Sequence, residues 1–332
     1  MKTNFINKFI AALILGLIPA CMHGLTLQVE AGGLREAVGN ATDAADLTVS
    51  GSLSLPDFEF LTLEMKDLRT LDLSAARVDA FAGDPTFTGR TSAPANVLPA
   101  YALLGLGVET LALPQGLTAI ADGALAGLKI KSVEIPATVT SIGSRAMADC
   151  AALQSVALPA SVKSIGEGAF KGCTSLRSAT IAGAPDSIAA NTFAGCTALV
   201  ICGMGIRDTS VALSPKQYGH ITRYDLLAVA NPDDFSQTRA LSSIGEKAFY
   251  GSAISSADLS ATALTSLAPW AFANCDQLIS VSLPARLVSL GTGAFFNDMN
   301  LAVAALPEGV TEIPDFALTS TAGSSDFLKN SN

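Results

Sequence analysis

From Leu98 to Leu318 the chain repeats itself about every 23 residues, and copies of that length can bury their apolar faces only by stacking on one another. Two copies show the unit in full. Leu153-Gln-Ser-Val156-Ala-Leu158-Pro159 leads to Ile165-Gly166, Ala169-Phe170, Cys173 and Leu176, while Leu278 to Pro284 leads to Leu290-Gly291 and Ala294-Phe295. The apolar residue that closes each short Ala-(apolar) segment falls at Leu103, Leu125, Met147, Phe170, Phe193, Phe249, Phe272, Phe295 and Leu318. The steps are 22 or 23 residues, except that 56 residues separate Phe193 from Phe249, which is one repeat plus 33 extra residues. The expected fold is therefore a solenoid whose core is a strip, not a ball.

Within the unit, Leu-x-x-Val-x-Leu alternates apolar and other residues as a half-buried strand does. Parallel strands are expected at about Leu71, Leu111, Val133, Val156, Ala179, Ala257, Val281 and Ala304. Pro136, Pro159, Pro284 and Pro307 follow the strand, where a missing donor ends the ladder. The Val-x-x-Ile-Gly element brings the chain back, with Gly143, Gly166, Gly245 and Gly291 expected at positive φ. Cys150, Cys173, Cys196 and Cys275 each stand three residues after the apolar closer. They read as a ladder of buried thiols meeting backbone carbonyls. A metal site is not indicated, because no Cys-x-x-Cys pair exists and groups at one register do not converge on a tetrahedral centre.

Ser-Ile-Gly-Glu-Gly-Ala-Phe-Lys-Gly-Cys-Thr-Ser-Leu (164 to 176) and Ser-Ile-Gly-Glu-Lys-Ala-Phe-Tyr-Gly-Ser (243 to 252) resemble the repeat of the BspA-type leucine-rich repeat family. The resemblance spans about two-thirds of the chain. It implies a right-handed leucine-rich repeat solenoid of α/β type, with short parallel strands stacked into one sheet, displayed on or outside a bacterial cell and associated with adhesion to surface proteins. It implies no catalytic residue and no cofactor, since the shared positions are structural.

Composition narrows the partners. Charged residues make up 15% of the chain and the net charge is −9, so neither nucleic acid nor an anionic lipid surface is a natural electrostatic partner. A protein or glycan at a cell surface or in extracellular matrix fits better. Residues 1–24 read as an export signal, because Lys2 and Lys8 precede an apolar run from Phe9 to Ile18 that is too short for a stable membrane span. Leu17-Ile18-Pro19-Ala20-Cys21 resembles a lipobox, which makes Cys21 the lipidation candidate; ordinary cleavage near Gly24 is the alternative. Residues 25–96 read as a capping section with a first repeat strand at Leu68 to Leu73, and 97–332 as the array, interrupted at about 201–240.

Catalysis needs convergent groups, and His220 is the only histidine beyond residue 24. The chain is therefore read as non-enzymatic, with an enzyme site in the interruption kept only as a remote alternative. The outward strand positions (Ser132 and Glu134, Ser155 and Ala157, Ser280 and Ser282) are mostly small and lack the aromatic and arginine anchors that carry binding energy. The interruption concentrates such anchors, and Arg207, Tyr218, His220, Arg223 and Tyr224 are the ligand-binding candidates. Its competing reading is a longer, degenerate coil in which residues 221–229 add a strand. A purely architectural envelope role is the alternative to binding. The anchoring reading is open to a direct check: Cys21→Ala should move the protein out of the membrane fraction and abolish fatty-acid labelling, whereas a mature N-terminus beyond Cys21 would establish ordinary secretion.

Overall fold

The computed structural model describes residues 24–182, 187–204, 225–226, 241–302 and 306–319, with the backbone alone at 201–204 and 225–226. β1 (Gly24–Val29), α1 (Leu34–Val38), β2 (Asp46–Leu53), α2 (Leu55–Glu64) and β3 (Thr70–Val78) alternate strand and helix, so their strands pair in parallel in the order β1-β2-β3. Asp57 fastens this section. Its buried carboxylate accepts the N–H groups of Gly32 at 2.6 Å, Leu34 at 2.9 Å and Ser54 at 2.7 Å, satisfying donors at the start of both helices. An antiparallel pair, β4 (Phe81–Ala82) and β5 (Ser92–Ala93), then frames a loop held against α2 by Glu59. Burial works to raise the Glu59 pKa, but hydroxyl donors from Thr86 and Thr88 and the charge of Arg90 outweigh it and hold the carboxyl below its ordinary value.

Beyond this section the chain is a β-solenoid of about 9 turns with parallel strands stacked coil on coil. The elements in order are β6 (Val97–Leu98), β7 (Thr110–Ala112), β8 (Ala119–Ile120), β9 (Ser141–Ile142), β10 (Ser155–Leu158), β11 (Ser164–Ile165) and β12 (Ser178–Ile181). They continue as β13 (Ser187–Ile188), β14 (Ile201–Met204), β15 (Asp225–Leu226), β16 (Ser243–Ile244), β17 (Ser256–Asp258) and β18 (Ser280–Ser282). The expected sheet runs through β3-β7, β10-β12-β14 and β15-β17-β18. The coils also contribute to a second ladder of two-residue strands, β6-β8-β9-β11 and β13-β16, built from Val-Leu in β6, Ala-Ile in β8 and Ser-Ile in β9, β11, β13 and β16. All the described helices lie in the front section; the Ala-Phe segments of the array are turns.

Those turns form a third ladder. Phe170 N–H donates to the carbonyl of Thr192, Phe193 to Ala248, Phe249 to Ala271, Phe272 to Ala294 and Phe295 to Ala317, at 2.8 to 3.0 Å. The residues two before and two after the apolar closer do the same: Asn191 N–H reaches Glu246 O at 2.8 Å and Gly195 N–H reaches Tyr250 O at 2.9 Å. Alternate residues thus aim their amides at the next coil, and the two that flank the apolar closer adopt positive φ. Tyr101, Arg145, Asn191, Lys247, Trp270 and Phe316 share one register with Gly123, Gly168 and Gly293, all at φ between 53° and 62°.

This corrects the expected role of Gly143, Gly166, Gly245 and Gly291, since positive φ lies in the turns and not at these glycines. Their requirement is close approach. A Cβ would stand 2.5 Å from Asp122 N at Gly143, and 2.4 Å from Ser144 N at Gly166, Ala190 N at Gly245 and Pro269 N at Gly291. The strand expected at Val133 is a single bridge between Glu134 and Ala157. Pro114, Pro136 and Pro159 occupy one register in three successive coils and withhold the amide that Ala182, one coil later, donates to Leu158 O at 3.0 Å. Strands are present at Leu71, Leu111, Val156, Ala179, Ala257 and Val281, while Ala304 lies outside the described residues.

Inside the coils the large side chains form a continuous stack. Phe170, Phe193, Phe249, Phe272 and Phe295 are fully buried, with successive ring centroids 5.5, 5.6, 5.2 and 5.7 Å apart and near-parallel planes. The stack crosses the interruption without a gap. Phe193 meets Phe249, Ile188 pairs with Ile244, and the turn ladder passes directly from 191–195 to 246–250. On the strand face, by contrast, β15 pairs with β17 and also touches β14, so that face gains a strand that the other two faces lack. Phe249→Ala, at this joint, should lower stability by about 3–5 kcal/mol, against at most about 0.5 kcal/mol for the exposed Ser155→Ala. Denaturant unfolding of the two variants measures the difference.

Candidate functional site

The candidates Arg207, Tyr218, His220, Arg223 and Tyr224, like Cys21, lie outside the described residues. The strand face is as small and polar as its sequence indicates, and two of its acids are satisfied locally. Asp72 Oδ1 accepts the N–H and hydroxyl of Ser74 at 2.9 and 2.6 Å, and Asp258 Oδ1 accepts those of Ser260 at 3.0 and 2.7 Å. The Ser74 hydroxyl, then its amide, holds the Asp72 carboxyl below its ordinary pKa. Such a face presents little that an incoming partner would complete.

The turn face is different. The coil carrying Phe193 has Asn191, Ala194 and Gly195 at its outward positions, the least side-chain volume of its neighbourhood. On one side Asp149 and Lys171 project from earlier coils, and on the other Lys247, Tyr250 and Trp270 project from later ones. Together these residues line an open groove of about 670 Å³. Its walls combine aromatic faces with charged and amide groups: Lys247 pairs with Glu246 at 3.0 Å and Asn191 Nδ2 donates to Glu167 Oε1 at 3.3 Å. Trp270 is held at φ 58°, a conformation that costs a side-chain-bearing residue about 1–2 kcal/mol, and a Cβ at Gly293 would lie 2.4 Å from its ring. One indole face is therefore covered by the next coil, with Phe296 edge-on at 5.4 Å between centroids. The half-buried ring borders the groove.

Sequence reasoning missed this groove. Its signal was available in the register: one position alternates large residues with glycine (Tyr101 before Gly123, Arg145 before Gly168, Trp270 before Gly293), and the neighbouring positions shrink to Ala194 and Gly195 where the groove opens. A second groove, of about 600 Å³, lies in the front section between α2 and the loop bearing Phe87.

The thiol ladder is as expected. Cys150, Cys173, Cys196 and Cys275 are unpaired and buried, and their Sγ atoms donate to the carbonyls of Leu125, Met147, Phe170 and Phe249 in the preceding coil at 3.1, 3.1, 3.1 and 3.3 Å. Hydrogen bonding to the Cys173 thiol, then burial, pushes Cys150 far above the ordinary thiol range; burial does the same for Cys275. Among the described residues no group of three or more His, Cys, Asp or Glu is placed to hold a metal ion.

Stacked coils of about 23 residues, a leucine-rich strip core and turn-face amides shared between neighbours define a leucine-rich repeat solenoid. The chain belongs to the BspA-type leucine-rich repeat family: the model of the BspA type leucine rich repeat region matches six copies over residues 96–204 and 227–327. Similar solved structures are a leucine-rich repeat protein from Eubacterium ventriosum (18% identity, TM-score 0.42, covering 83% of this chain and 60% of that one) and one from Bacteroides ovatus (13%, 0.33, 86% and 82%). The pneumococcal vaccine antigen PcpA is a third (15%, 0.32, 81% and 75%). This chain thus spans 60% of the length of the Eubacterium protein. No curated protein matches it.

The buried thiols should react with a thiol reagent in the native protein only as fast as the coils open. Mass spectrometry of labelled peptides should show Cys150, Cys173, Cys196 and Cys275 protected until denaturant is added. Rapid native labelling of all of them would count against the ladder.

Proposed function

We propose that the protein is an exported, non-enzymatic binding protein that contacts a protein or glycan at a cell surface through one face of its solenoid. The observation that carries the reading is the turn-face groove. It places Tyr250 and Trp270 beside Asp149, Lys171 and Asn191, a combination that offers aromatic surface to the C–H face of a sugar ring or an apolar side chain, and polar groups to hydroxyls or peptide. Rigid aromatic residues supply contact area at low entropic cost. The groove holds lysines and acids together, so a ligand of little net charge suits it. Arg207, Tyr218, His220, Arg223 and Tyr224 remain the proposed contacts of the interruption, and surface attachment through Cys21 remains a proposal of the same standing. The architectural reading is favoured by the strand face, whose Asp72 and Asp258 are already satisfied.

Trp270 is the only tryptophan in the chain, so its fluorescence reports on the groove alone. Titration with glycans and matrix proteins that the full chain retains should shift that emission. Tyr250→Ala should weaken binding by about thirtyfold or more, the loss expected of a hot-spot aromatic worth about 2 kcal/mol, with far-UV circular dichroism unchanged. Loss only on replacing Tyr218, His220 and Tyr224 together would move the site to the interruption. Retention of no glycan or matrix protein by the folded wild type would favour the architectural reading.

A further inference from the structure

We propose that Asp298 is a neutral carboxylic acid in the folded protein, its protonated Oδ2 donating to the carbonyl of Phe272 the hydrogen bond that thiols donate at the same register in earlier coils. Asp298 stands three residues after Phe295, as Cys150, Cys173, Cys196 and Cys275 stand after their own apolar closers. Each of those thiols donates to the carbonyl of the apolar closer one coil back, and for Asp298 that closer is Phe272. An ionised carboxylate placed there would set a negative oxygen against a carbonyl oxygen, with no proton to share.

The neighbouring bonds match this assignment. Asp298 is fully buried. Its Oδ1 accepts the N–H of Cys275 at 2.7 Å, an amide that in other coils goes to the coil's own apolar closer: Cys173 N–H to Phe170 O at 3.3 Å, Cys196 to Phe193 at 3.1 Å, Ser252 to Phe249 at 3.0 Å. Phe272 O therefore lacks the amide that its counterparts receive and is left for the acid proton. Oδ2 is buried and has no partner as an acceptor. A carboxylic acid makes both bonds at once, Oδ1 accepting and Oδ2–H donating, whereas a carboxylate makes only the first. The titratable groups acting on it come from the preceding coil, the buried Cys275 thiol and the exposed Asp276, and neither favours a negative charge. Among the described residues no lysine, arginine or histidine forms an ion pair with it, and burial first, opposed by the Cys275 amide and reinforced by Asp276, lifts its pKa to about 8.

The sign of the consequence is opposite to that of most acids. An Asp that keeps its proton when folded and loses it when unfolded contributes most below its unfolded pKa, and that contribution declines as pH rises towards the folded value, from about 4 to about 8. Above that, the proton leaves to solvent, the bond to Phe272 O is lost, and the coil holding Phe295 carries a buried charge. Asp298→Asn tests this, because an amide oriented with its oxygen on Cys275 N–H and its nitrogen on Phe272 O reproduces the neutral acid without ionising. The ratio of the wild-type unfolding constant to that of Asp298→Asn should rise with pH over this window, by up to about tenfold per unit, so that the variant is the more stable protein at pH 8. A ratio that is flat across the window, or that falls as pH rises, would overturn the assignment. A second readout needs no variant. Infrared spectra of the full wild-type chain at pH 6, where exposed acids are ionised, should retain a protonated-carboxyl band that disappears reversibly above pH 8; absence of that band at pH 6 would equally overturn it.

Discussion

The amide ladder of the turn face is the constraint on which the other features depend. A strand passes its amides to a neighbour by alternating in an extended conformation, but the turns must also reverse direction within a few residues. Here the chain does both by placing the residues two before and two after each apolar closer at positive φ, as at Asn191 and Gly195 around Phe193, so that Asn191, Phe193 and Gly195 all donate to the following coil. Those bonds set one spacing for the stack. At that spacing the phenylalanine rings meet at 5.2 to 5.7 Å, thiols reach the carbonyl of the preceding coil, and the Ile-Gly corner leaves no room for a Cβ. The residue preferences of the repeat follow from a shared distance and not from separate local needs.

Hence the long interruption is tolerated. Extra residues inserted into the turn face would break the ladder and separate the rings. Leaving between β14 and β16, they are accommodated while Phe193 stays stacked on Phe249 and Ile188 stays paired with Ile244. The added strand β15 lengthens only the face whose side chains are small, where an extra step disturbs no spine.

What the sequence made legible was whatever is periodic and apolar. The spine and the thiol ladder recur at fixed register, and burial leaves them few alternatives. Gly143 and its equivalents were misread because glycine answers two different demands, positive φ and the absence of a side chain, and an Ile-Gly step does not say which. The turn register was harder to read for the opposite reason: Tyr101, Lys247 and Trp270 hold a conformation that glycine would take freely, so the pattern that betrays glycine is hidden. The groove was missed on the same account. It arises from differences between coils, Asn191, Ala194 and Gly195 against Lys247, Tyr250 and Trp270, which a search for sameness averages away.

Departures from the repeat carry most of the chemistry that the repeat does not explain. A thiol ladder needs a donor at each step, and cysteine supplies one that stays protonated across the physiological range. Serine at 252 keeps that property, and its hydroxyl lies 3.4 Å from the Cys275 sulfur. Aspartate at 298 keeps it only while neutral. In a stack where each coil contacts only its neighbours, stability is close to a sum of coil and interface contributions, so a weakened joint at Asp298 loosens the coils it connects and leaves distant ones intact. The front section is secured differently, by Asp57, whose two side-chain oxygens gather the amides of Gly32, Leu34 and Ser54, all of them donors. Asp57 meets donors with both oxygens, whereas Asp298 meets a donor on one side and an acceptor on the other. The same side chain therefore serves only as an acceptor at Asp57 and as acceptor and donor at Asp298, and the backbone groups facing it decide which.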